Sequence, residues 1–542
     1  MNSSETARLP ADSVNSPAPA IAVGVATPSR VAGLKAWGRL ERWRFRLWLT
    51  GWFSVLGLSI LPSHAATRST ASATSSPPPL IREFRGLWVA SKGNIDWPSD
   101  PGLSVAQQQA EFRALLDAAV QTRMNAVVLQ VRPQCDALYE STLEPWSEVL
   151  TGRQGLPPAP RWDPLAFAVR EAHLRGLELH AWVNPFRARS DTSRSPLTRN
   201  HIINQHPEVT VRYGDQIWLD PGQPVAREHS LKVILDIVQR YDIDALHMDD
   251  YFYPYPIAKE TFRDDISYER YRRSGGTLDR SAWRRSNVDG FVHQLGIGIH
   301  QRKPWVKFGI SPFGIWRPGH PTGVRGLDAY EVLASDAVKW LQSGWVDYLA
   351  PQLYWPIDRR EQSYAALLPW WAQQNSLGRH LWPGLDTTSI GKDRNAAEIE
   401  REILLARRQD RVGGVILYSA NVLLANRQGL RTLLTKRVFT PAALVPASPW
   451  LTDRAPAAPA LQGSTEAGGR RVSLKWVAND ATLVRQFALQ FRVGHQWFTE
   501  FYPGHIQSRT FNLQFRQALP DECVLTPIGR TGVAGTPARW RR

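Results

Sequence analysis

Cysteine is scarce: the 542 residues contain two, Cys135 and Cys523, and only three methionines. Two distant thiols form neither a Cys-x-x-Cys motif nor a metal-ligand spacing, so a disulfide framework and a cysteine-built metal centre are both excluded as organising features. The expectation is two unpaired thiols, with a single long-range disulfide as the alternative in an exported chain. No His-Glu-x-x-His or similar ligand spacing occurs, so no metal site is expected. Phosphate-loop and dinucleotide fingerprints are missing as well. Gly296-Ile297-Gly298 lies inside a helix-like segment with no strand before it, and no cofactor is expected. The net charge of +16 is scattered rather than gathered into a stripe, which gives no reason to expect a nucleic-acid partner and leaves only a general affinity for anionic polymers. No specific protein partner is evident either.

Long apolar runs are also lacking. Leu47 to Leu61 is short of the roughly 20 residues that a spanning helix needs. Before it stand Arg39, Arg42, Arg44 and Arg46, and after it Ser63-His64-Ala65-Ala66. Basic segment, apolar segment and small residues, in that order, predict a secretory signal cut near Ala65, hence an exported chain in the periplasm or cell envelope. An uncleaved anchor, which would keep the protein close to a membrane, is the alternative. No cysteine lies near the cleavage point, which argues against lipid anchoring. Residues 1–65 are thus expected to be a disordered basic region plus signal, and 66–80 a Ser/Thr/Pro linker.

From 81 to 439 short apolar strands alternate with amphipathic helices. The predicted strands are 84–90, 126–132, 178–185, 245–250, 307–313, 348–354, 380–386 and 414–419. Helix-like segments between them include 105–122, 163–175, 227–241, 283–302 and 396–411. Asp163-Pro164 opens one of these with a cap and a first-turn proline, and Gly176 closes it. Eight β-α pairs in this length predict an α/β fold, a TIM (β/α)8 barrel, with a doubly wound sheet as the alternative. Residues 440–460 read as a Pro/Ala-rich linker. Residues 461–542 hold β-like runs without helices and predict a small C-terminal β-sandwich. Val472-Ser473-Leu474-Lys475-Trp476 and the ending around Thr526-Pro527-Ile528-Gly529 resemble a fibronectin type III module.

Strand alternation places the less apolar side chains in the lumen. That puts Gln130 and Arg132, then His180, Trp182 and Asn184, then His247 and Asp249, then Ser311, Gln352 and Tyr354 inside. The fourth strand runs into Asp249-Asp250 and an aromatic stretch, Tyr251-Phe252-Tyr253-Pro254. Adjacent carboxylates handle protons or a glycosyl cation, and flat rings stack on pyranose faces, so this stretch predicts a sugar cleft. Among the 23 tryptophans, Trp97, Trp146, Trp182, Trp316 and Trp355 are candidate stacking platforms. Asp249 is expected as nucleophile or base, with Asp250 bracing it or taking its role. The partner acid is sought among loop carboxylates, Asp136, Glu144 and Asp96, with Asp386 ranked below them. Arg132, Asn184, Gln352 and Tyr354 are expected to bind sugar hydroxyl or acetamido groups, Tyr251 and Tyr253 to line the cleft, and His180 and His247 to position a carboxylate or a hydroxyl.

Several segments together resemble one family. They include Phe84-Arg85-Gly86-Leu87-Trp88-Val89, Ile95-Asp96-Trp97-Pro98, Gln130-Val131-Arg132-Pro133, Asp136-Ala137-Leu138-Tyr139 and Glu144-Pro145-Trp146-Ser147. Leu179-His180-Ala181-Trp182-Val183-Asn184-Pro185, Asp249-Asp250-Tyr251-Phe252-Tyr253-Pro254, Ser311-Pro312-Phe313-Gly314-Ile315-Trp316 and Pro351-Gln352-Leu353-Tyr354-Trp355 follow in order. The set resembles the bacterial glycosyl-hydrolase-like 10 family over residues 81 to about 437. The resemblance implies a TIM-barrel glycosidase outside the cytoplasm, of a type that cuts peptidoglycan glycan strands once their stem peptides are gone. Cys135 stands where the family pattern usually has glycine. The expected partner is therefore a cell-wall polysaccharide. A catalytically silent barrel that binds or organises wall glycan is the competing reading, and a metal-dependent hydrolase on the same fold lacks its ligands.

Overall fold

The computed structural model describes residues 76–452, 454–513 and 519–542. The signal sequence and most of the first linker read from the sequence lie outside these residues. Eight parallel segments curl into a barrel: β1 Phe84–Val89, β2 Ala126–Arg132, β3 Glu178–Val183, β4 Ala245–Met248, β5 Lys307–Ile310, β6 Tyr348–Leu349, β7, and β8 Gly414–Tyr418. Segment β7 is broken into His380–Leu381 and Gly384–Asp386 around Trp382-Pro383. Proline has no N–H to give a ladder, so the break falls there. The first half pairs with β6 and the second with β8, while β1 pairs with both β2 and β8. Trp382 N donates to Leu349 O at 2.9 Å and Ile416 N to Pro383 O at 3.1 Å, so the broken segment closes the ring.

The first two helices of the outer layer have a local reason to start. In α1, Val105–Gln121, Ser104 and Gln107 form a reciprocal capping box, and Phe112, Leu115, Leu116 and Ala119 face the core. In α2, Pro164–Leu174, Asp163 Oδ1 accepts from Ala166 N at 2.9 Å, and Gly176 takes φ 74° after its last turn. Following β3 and β4 are α3, Pro224–Arg240, and α4, Arg280–Arg302. A three-stranded antiparallel excursion, Arg187–Arg189, Thr210–Tyr213 and Gln216–Leu219, grows from the β3–α3 loop.

Alternation sorts the strand side chains as expected along most of their length. Phe84, Trp88, Val128, Trp182, Tyr348, Trp382 and Ile416 form one buried cluster in the lumen. Leu87, Val89, Val127, Leu129, Leu179, Ala181, Leu246 and Met248 belong to the larger core under the helices. Arg132 departs from the pattern. The β2–β3 register shifts between Gln130 and Arg132, a bulge that pairs Arg132 with outward-facing Val183. Its guanidinium therefore lies on the helix side of the wall.

Residues 441–450 are no free tether. Leu444 N donates to Ile81 O and Glu83 N to Leu444 O, both at 2.9 Å, Val445 joins the lumen cluster, and Ser448 bonds Thr531 and His380. Composition suggested a linker, but the backbone pairing, with Val445 in the lumen cluster and Leu444 against Ala488 and Ile528, seats this segment between the N-terminal end of the barrel and the sandwich.

The C-terminal segment forms a seven-stranded antiparallel sandwich, one sheet of three strands and one of four. Val472, Leu474, Trp476, Phe487, Leu489, Phe511 and Leu525 fill its core. It docks on that N-terminal end of the barrel: Arg485 meets Asp244 at 2.7 Å, Arg530 meets Asp242 at 2.6 Å, and Gln486 donates to Gly176 O. Cys135 and Cys523 are buried and free, so no disulfide ties barrel to sandwich.

Candidate active site

The lumen is floored by one continuous hydrogen-bonded chain. Trp88 Nε1 donates to His247 Nε2 at 3.2 Å, which leaves the His247 proton on Nδ1, facing the Tyr348 hydroxyl at 2.9 Å. Tyr348 lies 3.1 Å from His180 Nδ1, and His180 Nε2 lies 2.9 Å from Glu178, which Lys307 pairs at 2.9 Å. Donors and acceptors alternate along this chain, with Tyr348 giving its proton to His180 Nδ1 and His180 Nε2–H donating to Glu178. Burial, then the nearby His180, holds the His247 pKa well below its usual value. The two lumen histidines thus set the floor and do not touch the acidic pair above it.

Asp249 and Asp250 end the fourth strand at the mouth. Asp249 Oδ2 accepts from Trp182 Nε1 at 3.0 Å and Oδ1 from Asn184 Nδ2 at 2.9 Å. It remains 3% exposed, while Asp250, 0% exposed, accepts from the Tyr255 hydroxyl. Burial raises the pKa of both. Arg187 and the two N–H donors oppose the rise at Asp249, whereas at Asp250 the neighbouring Asp249 charge adds to it and takes the group to about 7. Burial and the neighbouring Asp249 charge thus favour the protonated form of Asp250 well beyond what an ordinary carboxyl shows.

Around the pair stand the buried Arg187 and a ring of half-buried aromatic side chains. Arg187 lies over the Tyr251 ring at 5.2 Å, and Tyr251 and Tyr255 meet edge to face at 5.5 Å. Tyr255 leads to Phe313 at 6.0 Å and Phe313 to Trp355 at 5.5 Å. Across the mouth Tyr354 stacks on Tyr418 at 6.0 Å, and Gln352 donates to Ser311 O at 3.0 Å. Asp386 and Asp250 both act on the Tyr354 hydroxyl, raising a pKa that burial has already raised furthest. The carboxylate of Asp386 accepts from Thr388 N, Thr388 Oγ1 and Ser389 Oγ at 2.8, 2.6 and 2.5 Å, so it faces the mouth already oriented.

Of the residues picked from the sequence, the structure gathers Asp249, Asp250, Trp182, Asn184, Tyr251, Gln352, Tyr354 and Trp355 at the mouth. It does not gather the others. Arg132, 0% exposed, gives its donors to Glu144, Asn184 O, Pro185 O and Cys135 Sγ, and none remains for a ligand. Tyr253 is buried against Phe262 and the Arg284 guanidinium, away from the pair. Trp97, 1% exposed, donates to Gln108 O and packs on Phe112. Trp316 is bound into the helical layer by Asp336 and by Trp370 at 5.9 Å. Trp146 is half-buried and its backbone bridges to Ala137. Asp96 accepts from Ala90 N, Ser419 Oγ and Asn421 N and latches the loop after β1 to the loop after β8.

The two loop acids differ in environment. Asp136 is fully buried with Gln134 Nε2 at 3.0 Å from Oδ2, and burial raises it to about 7. Its charged neighbours are Glu144 and Glu148, not the acidic pair. Glu144 is held by Arg132 at 2.5 and 2.8 Å and by His229 on α3 at 2.9 Å. Burial works against ionisation there, but Arg132 and His229 override it and hold the carboxyl at about 2. A group ionised at every working pH has no proton to give, so Glu144 is a buried counter-ion. Glu144→Gln is expected to destabilise by about 3–5 kcal/mol, because it strands Arg132, while kcat stays near wild type below the lowered Tm. The depressed pKa makes this contribution present above the unfolded value of about 4.3 and lost as pH falls towards 2, so melting curves of the two proteins should converge in acid.

Sequence reasoning missed Arg187, Tyr255 and Tyr418 and ranked Asp386 low. Arg187 sits three residues beyond Asn184, whose Oδ1 accepts from Arg187 N at 2.7 Å, an Asx turn that the Asn-Pro-Phe-Arg run already signals. Asp386 and Tyr418 end their strands, as Asp249 does, and that shared position was the available signal. Among the described residues no group of three or more His, Cys, Asp or Glu side chains could hold a metal ion.

Residues 83–400 match the family described as glycosyl hydrolase-like 10. The glycosyl hydrolase YngK of Bacillus subtilis is 42% identical over 71% of this chain and 77% of its own length. The glycosyl hydrolase DigH of Escherichia coli K12 is 34% identical over 56% of this chain and 73% of its own. Among solved structures, the PgaB (BpsB) glycoside hydrolase domain of Bordetella bronchiseptica aligns with a TM-score of 0.43 at 15% identity, covering 66% of this chain and 98% of that one.

Proposed function

The chain belongs to the glycosyl hydrolase-like 10 family and is a glycoside hydrolase, and from that premise we propose that it cleaves cell-wall glycan, specifically peptidoglycan strands freed of their peptides. The observation that carries the reading is the pair Asp249 and Asp250 at the mouth, one carboxyl oriented by Trp182 and Asn184, the other pushed up to about 7 by burial and its neighbour, within a ring of tyrosines. Glycosidic cleavage needs a proton for the leaving oxygen and a carboxylate beside the anomeric carbon. Asp249, fixed by Trp182 and Asn184, serves as that carboxylate, and Asp250, which accepts from the Tyr255 hydroxyl, holds the proton. Trp355, Tyr354 and Tyr418 supply faces for pyranose rings, and Gln352 the polar edge. The reading also places the protein outside the cytoplasm, where its polymer lies, in line with the signal-like segment before residue 66.

Zymography tests it. Purified protein should clear gels cast with peptide-free glycan strands and leave gels of fully peptide-substituted strands intact. Equal clearing of both would remove the peptide-free specificity, and no clearing of either would remove the glycan assignment.

A further inference from the structure

The loops at the strand ends hold a second feature that the cleavage chemistry does not use. The loops after β1, β2 and β3 enclose a cavity of about 160 Å³ lined by Lys92, Asn94, Gln134, Glu148, Ser193 and Arg194, among others. It is smaller than the roughly 300–1,000 Å³ of a whole-ligand pocket, the size of a side group rather than of an oligosaccharide. Its wall is built, not incidental. Lys92 N donates to lumen residue Gln130 at 2.9 Å, and Gln134 Oε1 accepts from Ser190 N at 2.7 Å and Ser193 Oγ at 3.0 Å.

Lys92 and Arg187 share this corner with one nearby anion, Asp191, on which both act. Lys92 Nζ has one anionic partner, Asp191 at 2.8 Å, whose side chain is 48% exposed and whose hold is correspondingly weak. Arg187 gives Nε and Nη2 to a single neutral acceptor, Pro133 O, at 2.9 and 2.6 Å, and Pro133 itself lines the cavity. Glu148, the acid in the wall, is occupied by the amides of Arg194 and Ser195 at 3.2 and 2.7 Å. Burial, and then the Arg187 charge, push the Lys92 pKa down, which shows the two cations are close enough to repel. An anionic guest relieves that repulsion. Arg187 also connects this corner to the acidic pair, since Asn184 bonds both its amide and Asp249.

We propose that this cavity receives a carboxylate carried on a sugar ring of the substrate, with Lys92 as its ion partner and Arg187 as the bridge to the Asp249 side of the mouth. The inference rests on the glycan reading above and narrows it to acidic glycan. Peptide-free strands carry such a group, the ether-linked carboxylic acid left when the peptide is removed, and strands still bearing peptide present an amide instead.

The test compares peptide-free strands with the same strands after carbodiimide amidation of their carboxyl groups, using the full chain. Wild type is expected to lose at least tenfold in kcat/KM on the amidated strands, mostly through KM, as the loss of one charge-assisted contact requires. Lys92→Met is expected to lose a similar factor on the acidic strands and little on the amidated ones, and Lys92→Arg to recover most of it. Wild type cleaving both substrates alike would overturn the carboxylate site while leaving the glycan reading standing. Cleavage of neither would overturn both. Equal slowing of both substrates by Lys92→Met would assign Lys92 a merely structural role and sink the proposal; the wild-type comparison needs no variant to fold.

Discussion

Asp250→Asn is expected to cut kcat/KM on glycan by about 10³-fold and, at pH 8, to raise Tm. The activity loss follows from removing the proton that the leaving oxygen needs, within the range of about 10²–10⁴ for a general acid. The stability gain follows from linkage. Asp250 titrates at about 7 in the folded chain, raised first by burial and then by Asp249, against about 3.9 when unfolded. Its contribution to stability is fully present below the unfolded value and is lost as pH rises through the folded one, because the unfolded chain releases its proton first. A shift of that size corresponds to a few kcal/mol, of the order of 2–4. Asparagine cannot ionise, so the Tm difference, variant minus wild type, should grow between pH 4 and pH 8. A carboxyl that merely braces the loop would give the reverse: activity retained and Tm lowered at every pH. Calorimetry across that pH range beside initial rates separates the two outcomes.

Arg485→Ala is expected to destabilise by about 3–5 kcal/mol although Arg485 belongs to the sandwich and touches no strand of the mouth. Its Nη2 pairs with Asp244 Oδ1 at 2.7 Å, and Asp244 Oδ2 is taken by Leu179 N and His173 Nε2, both at 2.8 Å. Burial would raise the Asp244 pKa, but Arg485 and then His173 override it and hold it far below the carboxylate range. Removing the arginine leaves that carboxylate buried at the barrel's end with one charge partner fewer. A depressed carboxyl contributes stability above the unfolded value of about 3.9 and loses it as pH falls, so wild type and variant should converge below about pH 4. Replacing both charges, Asp244→Asn with Arg485→Met, should recover much of the loss, since an apolar or neutral pair is often no worse than a buried ion pair. Chemical denaturation monitored by fluorescence, with kcat measured on the folded protein, checks both halves; kcat should not change.

The barrel was legible because its cause is periodic. Eight apolar strands separated by capped helices leave few other folds, and the two-residue alternation put Trp182, His247 and Asp249 inside correctly. The rule failed at Arg132, where a bulge inserts a residue, and nothing in Gln130-Val131-Arg132 marks a bulge. Composition misled around 441–450, where proline and alanine look like a tether but Val445 enters the lumen cluster and Leu444 packs on Ala488 and Ile528 of the sandwich. Tryptophan identity alone did not separate Trp97, which is core, from Trp355, which faces the mouth. Acidic loop residues were equally ambiguous. Whether Glu144 donates a proton or balances Arg132 depends on His229, far along the chain. Pairings between loops, such as Lys92 with Asp191, join distant parts of the chain and have no local signature.

The broken segment around Trp382-Pro383 has a consequence for how the chain is made. Because β1 borders both β2 and β8, its outer row of amides and carbonyls waits until Gly414–Tyr418 has emerged from the ribosome. Until then the growing sheet offers a raw edge to any passing strand, a hazard for aggregation and a natural target for a chaperone. A chain stopped short of Tyr418 would lack the eighth segment and, with it, a partner for the second half of the seventh. Most of the long domain must therefore be present before any of it is safe.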